Sequence, residues 1–130
     1  MYRIIRALHG ISPIERFEVV PLEAAGGKPT HHAIQLRFGE IVPFAGIGPA
    51  ISKAGFHVLG DGQHYAMWRG KKGAVKTRIT FQLRRGDDGT SFTLTKTKKV
   101  VGKGETPVKL GLIEKKLLQY RISKMLRQQQ

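Results

Sequence analysis

The clearest pattern along the chain runs from Val75 to Leu83, where Val75, Thr77, Ile79, Phe81 and Leu83 interleave with Lys76, Arg78, Thr80, Gln82 and Arg84. A period of two places the first set on one face of a β-strand and the second on the other. Arg85-Gly86-Asp87-Asp88-Gly89 turns into Ser91–Val100, whose Phe92 and Leu94 continue the apolar face while Thr93, Thr95 and Thr97 line the opposite one. Upstream, Phe56–Leu59 and Gln63–Arg69 flank Gly60-Asp61-Gly62, a hairpin turn. Gly70-Lys71-Lys72-Gly73 turns again. These segments predict an antiparallel meander with one buried face and one face of Lys, Arg, Gln and Thr.

The first half of the chain is patterned less strictly. Tyr2–Leu8 is short and apolar-rich and is expected to be a strand. Glu15–Leu22 alternates loosely and carries Pro21, which suits an edge strand. Ala24-Ala25-Gly26-Gly27-Lys28-Pro29 reads as a loop, and His32–Phe38 as a strand with His32, Ile34, Leu36 and Phe38 on one face. Pro49–Ala54 predicts a short helix stopped by Gly55. A last helix is predicted over 107–127, with Thr106 as cap and Pro107 in first position. Its apolar residues Leu110, Ile113, Leu117, Leu118, Tyr120, Ile122 and Met125 cover more than a lone surface helix requires. Part of that face is expected to pack on the sheet, and the rest of 108–126 to meet a protein partner or a second copy. The expected fold class is α+β: an antiparallel sheet, a short helix near 49–54 and a C-terminal helix. With 130 residues, no repeat and no linker, residues 1–130 are expected to form one domain, a near-neutral strand region over 1–45 and a basic part over 46–130.

Charge changes the picture. The formal net charge is +14, yet residues 1–65 carry six Lys/Arg against five Asp/Glu while residues 66–130 carry seventeen against four. An excess confined to one half makes a field that draws polyanions, so nucleic acid is the expected partner. Cysteine is absent, which excludes disulfides, thiolate nucleophiles and Cys-based metal sites. No apolar run reaches signal-peptide or membrane-spanning length, so the expected location is intracellular or within a virion, with no membrane partner.

Gln63-His64-Tyr65-Ala66-Met67-Trp68-Arg69-Gly70-Lys71-Lys72 interleaves aromatic and basic residues, as surfaces that stack bases and meet phosphates do. With Arg69 outward, Trp68 falls to the core side and Tyr65 becomes the stacking candidate. The expected nucleic-acid contacts are Tyr65, Arg69, Lys71, Lys72, Lys76, Arg78, Arg84, Lys96, Lys98, Lys99 and Lys103. No base-reading helix or zinc finger is present in the pattern, so backbone contact is expected rather than sequence readout. His57, Asp61 and His64 are spaced as metal ligands can be, but the turn between them decides the geometry. His31 and His32 are strand neighbours that point to opposite faces. No metal and no cofactor are expected.

Two resemblances add to this reading. Phe44-Ala45-Gly46-Ile47-Gly48-Pro49-Ala50 resembles the hairpin of the helix-hairpin-helix family. There a Gly-apolar-Gly run opens a helix and offers backbone N–H groups to DNA phosphate, which implies phosphate contact at Gly46 and Gly48. Ile51-Ser52-Lys53-Ala54-Gly55-Phe56-His57-Val58, followed by Gly62-Gln63-His64-Tyr65, is similar to the core of the HicA messenger-RNA interferase family. That similarity covers residues 49–78 and implies a fold like double-stranded-RNA-binding domains, with His64 as the catalytic residue. The family usually has a small residue where this chain has Gln63, and the first 45 residues have no counterpart in it.

Three functions are therefore expected in order. The first is a nucleic-acid-binding structural or accessory protein that holds RNA or DNA backbone within a larger assembly. The second is a HicA-like ribonuclease using His64. The third is a basic assembly protein that packs on acidic protein surfaces through 108–126. The balance favours binding over catalysis.

Overall fold

The computed structural model describes residues 1–23, 29–70, 73 and 76–128. The elements run α1 (Tyr2–Ile11), β1 (Ile14–Glu23), β2 (Pro29–Phe38), α2 (Phe44–Lys53), β3 (His57–Gly60), β4 (His64–Trp68), β5 (Thr77–Arg85), β6 (Ser91–Val100), β7 (Gly104–Pro107) and α3 (Leu112–Arg127). The fold is α+β, with one antiparallel sheet of seven strands in the order β1-β2-β6-β5-β4-β3. β7 pairs with the far half of β6, from Thr97 to Val100, where β2 has already left that edge.

The alternation along each strand sorts the sheet into two faces. Ile34, Leu36 and Phe38 of β2, Phe92 and Leu94 of β6, Leu83 of β5, and Tyr65 and Met67 of β4 enter one buried cluster. Ile4, Ile5 and Leu8 of α1, Ile47 and Ile51 of α2, and Leu118, Ile122 and Met125 of α3 enter the same cluster. All three helices therefore lie on one side of the sheet. Removing these side chains from water contributes about 1.5–3 kcal/mol each and holds the two layers together. Among the described residues no helix covers the opposite face.

Three local expectations are corrected. Tyr2–Leu8 is helical, not extended: Ile4, Ile5 and Leu8 recur at helical spacing and all three are fully buried against the sheet. The β propensity of the isoleucines yields to that burial. The helix expected over 49–54 begins five residues earlier, at Phe44, after Pro43 as N-cap, and still ends before Gly55, whose φ is +100°. The last helix begins at Leu112, because Thr106 and Pro107 are strand residues of β7, opposite Lys98 and Thr97. The loop expected from Ala24 falls outside the described residues as far as Lys28, as do Lys71, Lys72 and Val75.

Gly60 shows how closely the hairpin is packed. It pairs with Tyr65, and a side chain at position 60 would run into the Tyr65 ring. The Tyr65 ring lies against the exposed glycine and leaves no room there for a side chain.

Candidate nucleic-acid interface

The helix-free face is assembled from alternate residues of every strand. Register sets His57 of β3 beside Trp68 of β4, and His64 of β4 beside Arg84 of β5. Arg84 stands beside Thr93, Gln82 beside Thr95, Thr80 beside Thr97, and Arg78 beside Lys99. Further along, Gln35 joins Thr93 and pairs with Glu18, and Arg37 pairs with Arg16. This is the polar face expected from the alternation, extended by β1 and β2.

It is not flat. Gln82 lies two strands across and four residues along from Glu105, which in a flat sheet separates their Cα atoms by about 16 Å. Yet Gln82 Nε2 donates to Glu105 Oε2 at 3.2 Å. The β6–β7 arm therefore curls over the face and makes it a trough. The curl explains why Thr80 and Thr97 are buried although they point away from the helices. Thr97 Oγ1 donates to the Thr80 carbonyl at 3.0 Å.

Trp68 is buried, as expected, but in the trough rather than in the main core. Its ring lies between the His57 imidazole, with centroids 5.5 Å apart, and the Arg78 guanidinium, 4.8 Å from the ring centroid. Arg78 also donates to the Gly73 carbonyl, and the His57 Nε2 bonds the Gly70 carbonyl at 2.8 Å. Three polar atoms along the trough, Trp68 Nε1, Thr80 Oγ1 and Gln82 Oε1, are buried with no hydrogen-bond partner among the described residues. Such groups are rare in folded proteins because each costs desolvation energy. Beside them His64, Gln82, Arg84, Thr93, Thr95 and Glu105 line a hollow of about 320 Å³.

Several expected contacts stand elsewhere. Tyr65 is a core residue, not a surface stacking ring, and burial pushes its hydroxyl pKa up. Arg69 projects on the helix side, with its guanidinium 5.9 Å from the Phe56 ring. Lys96 and Lys98 also fall on the helix side by alternation, opposite Phe81 and Ile79, and Lys96 Nζ pairs with Glu114 Oε1 at 3.2 Å. Lys103 is exposed in the turn before β7, and Lys76 is exposed just before β5. Arg78, Arg84 and Lys99 are the expected basic residues that the register brings together on one face.

The glycine run does not open α2 as a turn. Gly46 and Gly48 are its third and fifth residues, and Gly46 N already donates to the Pro43 carbonyl at 3.2 Å. Helical geometry directs the Gly48 N–H to the Phe44 carbonyl. Neither amide is left open for phosphate.

His57 and His64 share the helix-free face but lie about 13 Å apart along the hairpin, since His57 sits opposite Trp68 and His64 starts the same strand four residues earlier. Asp61 spends its carboxylate on the turn, accepting from Gln63 N at 2.9 Å and His64 N at 2.8 Å, which lowers its pKa. Among the described residues no group of three His, Asp or Glu is placed to hold a metal ion. No helix of the described chain is long and apolar enough to cross a membrane.

The alternation readily picked out Arg78, Arg84 and the threonines. It missed Glu105, which the hydrogen bond from Gln82 places over the trough. Nothing in the local sequence of 104–107 announces it. Compared with family models, curated proteins and solved structures, the chain matches none.

Proposed function

We propose that this protein grips nucleic-acid backbone, without reading sequence, through the helix-free trough of its sheet. The observation that carries the reading is the register that sets Arg78, Arg84 and Lys99 on one face beside Thr93 and Thr95. Guanidinium and ammonium groups neutralise phosphates, and hydroxyls donate to phosphate and sugar oxygens. Gln35, on the same face and exposed, supplies a further hydrogen-bonding group. The uneven charge, with seventeen Lys/Arg beyond residue 65, provides the long-range attraction.

The test is fluorescence anisotropy of labelled single- and double-stranded RNA and DNA across about 50 to 200 mM salt. A site engaging about five phosphates loses affinity with a log–log slope of about −3.5 to −4.5. Weak binding to all four ligands at physiological salt would remove this reading.

A second reading has one specific observation behind it: His64, Arg84 and Glu105 line the same hollow. A histidine can move the proton of a ribose 2′-hydroxyl, and an arginine can neutralise charge building on phosphate oxygens. Under that reading RNA shortens during the titration, and His64→Ala stops the shortening while binding persists.

A further inference from the structure

The helix layer carries its own basic feature, on the opposite side of the sheet from the trough. Between the first turns of α1 and the middle of α3 lies a cleft of about 500 Å³. Its floor is apolar: Phe56, Phe81 and Leu118, with Phe56 and Phe81 in edge-to-face contact at 6.1 Å. Its rim is four arginines, Arg3, Arg6, Arg69 and Arg121. All four are exposed, and none has a carboxylate partner among the described residues. Glu114, the one carboxylate lining the cleft among the described residues, is already paired with Lys96. Arg121 lies 5.5 Å from the Tyr2 ring and Arg69 5.9 Å from the Phe56 ring. A guanidinium resting on a ring is held in place while its N–H edge stays open to an anion.

Along α3 the cleft continues into an apolar stripe. Ile113, Leu117 and Tyr120 recur at helical spacing and are 82%, 47% and 59% exposed, and Leu117 lines both features. Lys116 and Lys124 lie near the stripe on the same exposed side.

From this charge complementarity we infer that the α1–α3 cleft is a docking site for an acidic amphipathic segment of a partner protein. An apolar side chain of that segment seats on Phe56, Phe81 and Leu118, and its flanking carboxylates meet the four guanidiniums in bidentate fashion. A second copy of this chain is the wrong occupant, because it too carries a net charge of +14. Nucleic acid fits less well, because its interfaces are strongly polar, whereas this surface has an apolar floor extended by an exposed apolar stripe. The inference does not depend on the trough, and the two sites are separated by the thickness of the sheet.

The probe is a fluorescein-labelled synthetic peptide with Leu or Phe at i, i+3, i+4 and i+7 and Glu elsewhere, titrated with the full chain. Its controls are the same composition scrambled and the same pattern with Gln for Glu. Arg6→Glu and Arg121→Glu are each expected to weaken peptide binding about tenfold or more, and Leu117→Gln to weaken it several-fold. Arg84→Glu, in the trough, is expected to leave it within about twofold. Circular dichroism of each variant checks that the helices remain, and Arg6 and Arg121, being exposed, can be changed without opening the core. Equal binding of the patterned and scrambled peptides, failure of the patterned peptide to bind, or indifference to both arginine reversals would overturn the inference. So would displacement of the peptide by RNA with the same dependence on Arg84 as on Arg6.

Discussion

The two faces of the sheet are built from the same strands and obey opposite rules. On the helix side, neighbouring positions hold Ile34, Leu94, Leu83 and Met67, all fully buried and closed by three helices. On the trough side the alternate positions hold Ala33, Thr95, Gln82 and Ala66, of which Ala33 is buried and the other three are half-buried. One face is closed by apolar packing and leaves little room for a ligand. The other carries Gln82, Arg84, Thr93, Thr95 and Lys99, polar and charged side chains that stay partly or fully exposed. Apolar packing and polar surface are thus assigned to alternate residues of one strand.

That division is tested first where the effect is largest. Met67→Ala on the helix side is expected to cost about 2–5 kcal/mol, because a fully buried side chain leaves a cavity behind. Thr95→Ala on the trough side is expected to change stability by only about 0.5 kcal/mol. Urea denaturation of the pair measures both, and equal losses would erase the distinction.

Gly60→Ala comes next. The added methyl meets the Tyr65 ring inside van der Waals distance, and displacing a core aromatic is expected to cost about 1–3 kcal/mol. A Gly60→Ala protein as stable as the parent would show that the hairpin packs differently.

A smaller effect concerns acid. His9 is buried in α1, and its Nδ1 accepts from the Ile14 N–H at 2.9 Å, so burial holds its pKa below the ordinary 6.5. The unfolded chain therefore takes up the proton first as pH falls. Stability is full above about 6.5 and declines below it, towards the folded value. His9→Gln should flatten the stability profile in that window.

The smallest effect is at the β5–β6 turn. Asp88 accepts from Thr90 N at 3.0 Å and Ser91 N at 3.3 Å, and these bonds pull its pKa from 3.8 to about 2. The stability it contributes is present above 3.8 and is lost as pH falls towards 2. Asp88→Asn should remove its share of that acid dependence, seen as a smaller fall of the melting midpoint between pH 3.8 and about 2 than in the parent.

Period-two alternation read the sheet well, because the faces of β2, β5 and β6 follow directly from it. It failed where two readings shared a pattern. Tyr65 and Trp68 sit on opposite faces and both are buried, so asking which one is inside had no single answer. Arg69 does not mark the outward face, because it lies just past the strand's end, on the helix side, where a long side chain reaches solvent past the cleft. Lys96 and Lys98 differ for a related reason: charge along 96–99 is continuous in sequence, while alternation turns half of it towards the helix side. The arginine-rimmed cleft was invisible in the chain, since its four guanidiniums come from α1, the end of β4 and α3. Only packing brings them together.

The central claim, that the trough rather than the helix layer holds nucleic acid, is tested most directly by reversing charge on each face in turn. Arg84→Glu with Lys99→Glu alters the trough; Lys116→Glu with Lys124→Glu alters α3 by the same number of charges. Both proteins are titrated with labelled RNA and DNA at several salt concentrations. The trough variant is expected to lose about tenfold or more in affinity, with its salt slope shallower by about 2, while the α3 variant keeps the parental slope. Equal losses from both variants, or a larger loss from the α3 pair, would contradict the account.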